Sequence, residues 1–130
     1  MPRIFTIDEA TALLPRMREI VTEMQEKKRV LDGLRAELAA MTRTASGNGH
    51  LISAEVTEKR RAAQTVAERL NQFLAEINSL GCELKGIEEG LIDFPSERDG
   101  RTVHLCWKLG EEEIAYWHDL DTGFAGRQPL

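Results

Sequence analysis

Apolar residues recur at alternating spacings of three and four along the first part of the chain, a seven-residue repeat that is typical of one face of a long helix. Thr6 and Glu9 have the spacing of a capping box, so helix 1 is predicted over residues 5–43, with a kink at Pro15. The stripe consists of Ala10, Leu13, Met17, Ile20, Met24, Lys27, Leu31, Leu34, Leu38 and Met41, in which only the lysine is polar.

A second stripe follows a connector over residues 44–52, whose glycines and Asn48 are typical of a loop. Ser53 is a suitable N-cap and Gly81 a suitable terminator, so helix 2 is predicted over residues 53–80. Its stripe consists of Val56, Lys59, Ala63, Val66, Leu70, Phe73, Ile77 and Leu80. Two long helices joined by a short loop are expected to pack as an antiparallel hairpin.

After the helices, apolar and polar residues alternate, which is typical of half-buried strands. Residues 102–108 and 113–118 are predicted to form a β-hairpin with a two-residue turn at Gly110-Glu111. In this register the opposite pairs are Trp107 with Ile114, Leu105 with Tyr116, and Lys108 with Glu113.

Two more strands precede this hairpin: residues 91–95, which lead towards a turn at Asp99-Gly100, and a short segment at 82–87. The pattern therefore predicts a meander over residues 82–118, followed by an ordered tail over residues 119–130.

The predicted fold is one α+β domain over residues 1–130: a long antiparallel helical hairpin packed on an antiparallel sheet of three or four strands. The helix positions expected to cover the apolar face of the sheet are Leu13, Leu14, Met17, Phe73, Ile77 and Leu80.

The polar face of the sheet carries a candidate metal site. Asp93, His104 and Cys106 are expected to lie side by side there, and carboxylate, imidazole and thiolate are zinc ligands. Cys82 becomes a fourth ligand if its segment joins the sheet. The alternative is that Cys106 is a small buried side chain and His104 a surface histidine.

His118, Asp119 and Asp121 form a second candidate group, because a histidine beside carboxylates suits general acid–base catalysis or an oxygen-rich metal site. The alternative is a histidine at a strand end that is hydrogen-bonded to the tail. The predicted register places His118 on the opposite face of the sheet from His104.

The tail offers a candidate anion site. Gly123 and Gly126 can form a backbone nest, with Arg127 as a forked donor. The alternative, which we favour, is that Arg127 pairs with Glu111 or Asp93 and holds the tail on the sheet.

Trp117 is predicted to lie on the polar face, where an aromatic ring can mark a ligand or partner surface. The alternative is that the tail covers this ring through Phe124 or Leu130.

Composition narrows the expected partners and the expected cellular location. The 130 residues carry a net charge of −5 with both signs interspersed, which makes duplex nucleic acid an unexpected partner. Two cysteines without a secretory signal peptide favour the cytoplasm, and no apolar run is long enough to span a membrane.

The predicted helices, about 50 Å and 40 Å long, extend beyond any sheet of this size. A second copy is the simplest cover for the exposed length, so we expect a homodimer or higher oligomer; the alternative is a solvent-exposed coiled coil. The preferred function is accordingly a non-enzymatic, self-associating interaction module. The alternative is a small enzyme or ligand-binding protein that depends on a metal such as zinc or on an anion, with its site at the sheet and tail.

Several motifs together resemble an uncharacterised prokaryotic family, catalogued as domain of unknown function 2203. They are Gly90-Leu91-Ile92-Asp93-Phe94-Pro95, Leu105-Cys106-Trp107, Gly110-Glu111, Trp117-His118 and Gly123-Phe124-Ala125-Gly126-Arg127, with Phe5-Thr6 and Leu13-Leu14-Pro15 near the N-terminus. The resemblance spans nearly the whole chain. It implies no activity and no catalytic residues, and His104 lies outside its pattern.

Overall fold

The structure, a computed structural model, describes the backbone of residues 3–44 and 49–130 and the side chains of residues 3–43 and 54–130. The helices of this described part are α1 (Ile7–Ala12), α2 (Leu14–Thr44) and α3 (Gly49–Ser79). The strands are β1 (Glu83–Gly86), β2 (Leu91–Arg98), β3 (Arg101–Lys108), β4 (Tyr116–His118) and β5 (Gln128–Pro129), with a 3₁₀ turn at Phe124–Gly126.

All five strands belong to one antiparallel sheet in the order β1-β2-β3-β4-β5. The predicted α+β fold is confirmed, with more strands than predicted because the tail adds β5 beside β4. Strand β2 extends to Arg98 rather than to Pro95, since the turn into β3 needs only Asp99 and Gly100. Both have positive φ, 53° and 77°, as in the primed turns that suit tight hairpins.

The predicted first helix is divided at Leu13. Its capping box is present: the Glu9 N–H donates to Thr6 Oγ1 at 3.1 Å, and the Thr6 N–H donates to Glu9 Oε1 at 2.8 Å. Pro15 has no N–H to donate to Thr11, and its ring excludes that carbonyl, so α1 ends and α2 begins where a kink was predicted.

The second helix begins earlier than predicted. Part of the predicted connector, residues 45–48, lies outside the described residues, but α3 already starts at Gly49. Ser53 therefore lies inside the helix and not at its N-terminus. At the other end Gly81 terminates the helix as predicted, with φ 91° and the Cys82 N–H donating to the Ile77 carbonyl at 3.2 Å.

The core lies between one face of the sheet and the adjoining ends of the helices. Trp107, Phe94 and Ile92 are fully buried there against Met17 and Ile77. The helix residues predicted to cover the sheet all belong to this core or pack against it. Burial of this apolar face holds the two layers together.

Beyond the sheet the hairpin is only partly covered. Among the described residues, Leu31 of α2 and Phe73 of α3 are the most distal apolar side chains that are buried. Stripe residues farther along, such as Leu34, Leu38 and Val66, are half-buried. No helix in the described ranges is both long enough and apolar enough to cross a membrane.

The predicted pairing of β3 with β4 is wrong by one residue. Leu105 lies opposite Trp117, not Tyr116, and His104 lies opposite His118. The predicted pairs of Trp107 with Ile114 and of Lys108 with Glu113 do not form either, because residues 109–115 are a loop rather than a turn and a strand.

Glu111 explains this loop. Its carboxylate accepts the Lys108 N–H at 2.7 Å, and its carbonyl accepts the Trp107 indole N–H at 2.9 Å. These bonds fix Glu111 beside the end of β3, so the chain forms a loop before β4 begins. A slip of one residue exchanges the faces of a strand, so Trp117 enters the core and His118 lies on the polar face.

Candidate functional site

Strand pairing brings four polar or thiol side chains together on the face of the sheet away from the helices. Asp93 of β2 lies opposite Cys106 of β3, as predicted, and His104 of β3 lies opposite His118 of β4. All four residues are buried. The prediction that the two histidines lie on opposite faces is therefore wrong.

Three of these residues form a compact donor set. One donor atom each from Asp93, Cys106 and His118 lie within 4.8 Å of one another. Ligands on a tetrahedral zinc ion are roughly 3.3–3.7 Å apart, given bonds of about 2.0–2.3 Å. Small rotamer changes, about 1 Å at the widest pair, would bring these atoms to that geometry.

The ring of His118 is oriented as in many metal sites. Its Nδ1 lies 2.7 Å from the Asp119 carbonyl oxygen, which can only accept, so Nδ1 carries a proton. Its Nε2 lies 3.0 Å from Asp93 Oδ2. In the neutral ring, two lone pairs therefore face each other, and a proton or a metal ion must lie between them. Such a backbone bond to the far ring nitrogen typically orients a histidine ligand.

Two buried atoms near this point have no hydrogen-bond partner among the described residues: Asp93 Oδ1 and His104 Nδ1. The second is 3.3 Å from Asp93 Oδ2 without hydrogen-bonding geometry. A buried polar atom without a partner is costly. A cation would satisfy the carboxylate oxygen.

His104 connects the group to the surface. Its Nε2 lies 3.0 Å from Oε2 of Glu83, a half-exposed carboxylate on β1, and its Nδ1 faces Asp93. His104 is outside the compact donor set. The compact set thus contains His118 where the sequence suggested His104, and His104 lies between the Asp93 and Glu83 carboxylates.

Burial and neighbouring charges shift the pKa values of Asp93 and Cys106 in opposite directions. Burial disfavours the charged form of Asp93, but the neighbouring rings of His104 and His118 outweigh it and hold the carboxyl pKa below its ordinary value. Burial, aided by the negative charge of Asp93, raises the pKa of the Cys106 thiol to about 12. A metal ion would have to displace that thiol proton, as metals do at cysteine ligands.

The site opens into a cavity of about 350 Å³. Asp93, His104, Cys106 and His118 line it from the sheet. The remaining walls are formed by Lys85, Leu91 and the tail segment Leu120, Asp121, Thr122, Gly123 and Phe124. Leu120 and Phe124 are exposed, so the rim of the cavity is partly apolar. The tail therefore borders the site without closing it.

The predicted anion nest contains an ion pair instead. Arg127 donates to both carboxylate oxygens of Glu111, at 2.6 and 2.9 Å, and lies over the rings of Tyr116 and Phe124. This is the predicted pairing that holds the tail on the sheet. Gly123 borders the cavity, whereas Gly126 packs against Thr122.

Other candidates lie elsewhere. Trp117 belongs to the core, so its predicted place on the polar face is wrong. Cys82 is buried immediately before β1 and is not part of the donor set. Asp119 pairs with Arg101 at 3.0 Å and contributes its carbonyl to His118, and Asp121 lies on the cavity wall.

Comparison with known proteins identifies the family and nothing more specific. A family model described as an uncharacterized conserved protein, DUF2203, matches residues 3–130, which confirms the resemblance seen in the motifs. No curated protein and no solved structure matches the chain.

Proposed function

We propose, from the premise that this chain belongs to the DUF2203 family of uncharacterised conserved proteins, that it binds a divalent transition metal, with zinc the best fit. The ligands are Asp93, Cys106 and His118. The observation that carries the proposal is that three different metal-ligating groups, all buried, lie within 4.8 Å of one another. Carboxylate, thiolate and imidazole together suit zinc better than magnesium or calcium.

The charges support this assignment. A thiolate and a carboxylate would neutralise a divalent cation, so the loaded site would bury no net charge. Without a metal, Asp93 Oδ1 has no partner in the described part of the chain, and the His118 Nε2 lone pair faces a carboxylate. A proton between His118 and Asp93 would account for the second feature only, whereas a metal ion accounts for both.

Three protein ligands leave one position on a tetrahedral ion, and the cavity adjoins the donor set. Structural zinc sites usually have four protein ligands, whereas sites that bind an external ligand keep one position open. We therefore propose that the metal presents this position to water or to a small oxygen donor in the cavity. A metal there would act as a Lewis acid on the bound group.

The test is the metal content of untagged protein, with Cys106→Ser and His118→Ala as the variants. We expect about one zinc per chain in the natural protein and a large loss in both variants. Cys82→Ser is a matched control, because Cys82 is equally buried and its thiol pKa is also raised to about 12, yet it lies outside the donor set. Absence of stoichiometric binding after zinc reconstitution, or equal loss in Cys82→Ser, would contradict the proposal.

We also propose that the distal half of the hairpin pairs with a second copy to form a homodimer. The supporting observation is that apolar stripe residues beyond Leu31 and Phe73 are only half-buried.

Free thiols at Cys82 and Cys106 favour the cytoplasm as the location of the protein.

Sedimentation velocity at micromolar concentration tests this second proposal. Leu38→Glu places a charge in the stripe and should shift the protein towards monomer, whereas Ala39→Glu, at an exposed position one residue away, should not. A natural protein that sediments as a monomer would reject the dimer.

A further inference from the structure

We propose that a second cleft, on the helix side of the sheet, binds a small amphipathic carboxylate, an acid with one carboxyl group and an apolar chain or ring. The cleft has a volume of about 390 Å³ and lies between the N-terminal segment and the far end of the sheet. Its apolar surfaces would hold the body of the ligand, and Arg98 would bind the carboxylate.

The lining of the cleft is predominantly apolar. Val103, Leu105 and Trp117 line it from the sheet, and Ile4 and Ile7 line it from the N-terminal segment. Ile4 and Ile7 are 41% and 45% exposed, so both present apolar surface to solvent at the cleft. Leu130, also on this cleft, is 41% exposed. Exposed apolar side chains clustered at one concavity are typical of ligand sites.

Arg98 supplies the polar group. Its guanidinium lies 4.8 Å from the centre of the Trp117 ring, at the edge of the cleft. No carboxylate of the described residues lies within ion-pair distance of it, whereas the neighbouring Arg101 is paired with Asp119 at 3.0 Å. Arg98 as a whole is half-buried. A guanidinium with unused donors is suited to a planar carboxylate, which it can bind with two parallel hydrogen bonds.

Charge at the rim also favours a single carboxylate over a phosphate. Glu97 is the one acidic residue that lines the cleft. It would repel a multiply charged anion more strongly than a singly charged one. An acid with one charge and an apolar body satisfies both Arg98 and the apolar lining.

This cleft is separate from the metal site. Trp117 and His118 are consecutive residues of β4, so their side chains point to opposite faces of the sheet. The cleft contains none of the three proposed metal ligands. The inference therefore stands or fails independently of the metal.

Octanoate is a suitable probe, and the two tryptophan indole N–H resonances in NMR spectra of the natural protein are suitable reporters. The Trp107 indole is buried and donates to Glu111, while Trp117 lines the cleft. We expect saturable shifts of the Trp117 resonance on adding octanoate, with the Trp107 resonance nearly unchanged. Octanol and octylammonium should bind at least about tenfold more weakly, because they cannot pair with Arg98.

Two variants distinguish the contact of octanoate with Arg98 from non-specific hydrophobic binding. Arg98→Gln should weaken octanoate binding by about tenfold or more, and Arg101→Gln, whose charge is already paired, should change it little. Equal affinity for octanoate and octanol, shifts that never saturate, or full binding in Arg98→Gln would overturn the proposal. So would Trp117 shifts that follow protein concentration without ligand, since they would indicate a second copy in the cleft.

Discussion

His104 and His118 lie directly opposite each other on β3 and β4, with ring centres 5.4 Å apart and ring planes at 84°. Both rings approach the same oxygen, Asp93 Oδ2, at 3.3 and 3.0 Å. They are not equivalent: His118 Nε2 belongs to the compact donor set, and His104 joins Asp93 to Glu83. One carboxylate oxygen thus has a histidine ring on each side, and only the ring of His118 hydrogen-bonds to it.

The first prediction concerns the supporting role of His104. His104→Ala should weaken zinc binding by about 10–100-fold without abolishing it, because removing a group that orients a ligand typically costs that much. Competition with a chromogenic chelator measures the affinity. Loss of all binding would make His104 a direct ligand.

Glu83→Gln refines this test. Glu83 is half-exposed, and its carboxylate pairs with His104 rather than with a proposed metal ligand, so the affinity should fall less than in His104→Ala. Lys85→Gln is a control, because Lys85 contacts the other oxygen of the same carboxylate and no ligand. A larger effect for Glu83→Gln than for His104→Ala would contradict the proposed order.

The second prediction tests the register of β4. Trp117→Ala should lower the free energy of unfolding by about 3–5 kcal/mol, since a buried aromatic side chain is lost from the core. Tyr116→Ala should cost clearly less, because Tyr116 is only half-buried on the other face. Urea denaturation measures both. The reverse order would restore the register predicted from the sequence.

Much of the fold was predictable because its signals are local. The stripes of the two helices, the capping box at Thr6 and the turns at Gly81 and Asp99-Gly100 depend on neighbouring residues, and all of these features are present. The register of two paired strands was predictable where a tight turn joins them, as Asp99-Gly100 joins β2 and β3. Asp93 and Cys106 were therefore placed opposite each other correctly.

The register of β4 was not predictable from local signals. The loop over residues 109–115 is stabilised by Glu111, whose bonds to Lys108 and the Trp107 indole depend on the folded sheet. The Gly110-Glu111 pair gave a plausible tight turn instead. One signal in the sequence does favour the observed register: Trp117 is larger and less polar than His118, so the core would favour it. Because the predicted register was wrong by one residue, His118 was not expected to lie beside Asp93.

The third prediction concerns the two thiols. Burial raises the pKa of both Cys82 and Cys106 to about 12, so neither is a thiolate to any large extent near neutral pH. Without added metal, both should react with iodoacetamide far more slowly in the native protein than in urea. Mass spectrometry after timed quenching measures the extent at each cysteine. Rapid native alkylation of Cys106 would mean that the site is more open or more cationic than described.

The fourth prediction compares two glycines. Gly81 has φ 91°, and a Cβ added there would lie 2.9 Å from Arg3 Cβ, so Gly81→Ala should destabilise the protein by about 1–3 kcal/mol. Gly33 lies in the middle of α2, where an added Cβ would meet nothing within 4 Å. Gly33→Ala should stabilise the protein by about 0.5–1 kcal/mol, because alanine loses less backbone entropy in a helix.

Urea melts of the two alanine variants test the turn from α3 into β1 and the packing of the middle of α2 in one experiment. The same substitution is expected to have opposite signs at the two positions, so a general effect of adding a methyl group cannot produce the result. If Gly81→Ala were neutral, the turn from α3 into β1 would not need a left-handed residue. If Gly33→Ala were destabilising, the middle of α2 would be packed against something, and a second copy of the hairpin would be the first partner to examine.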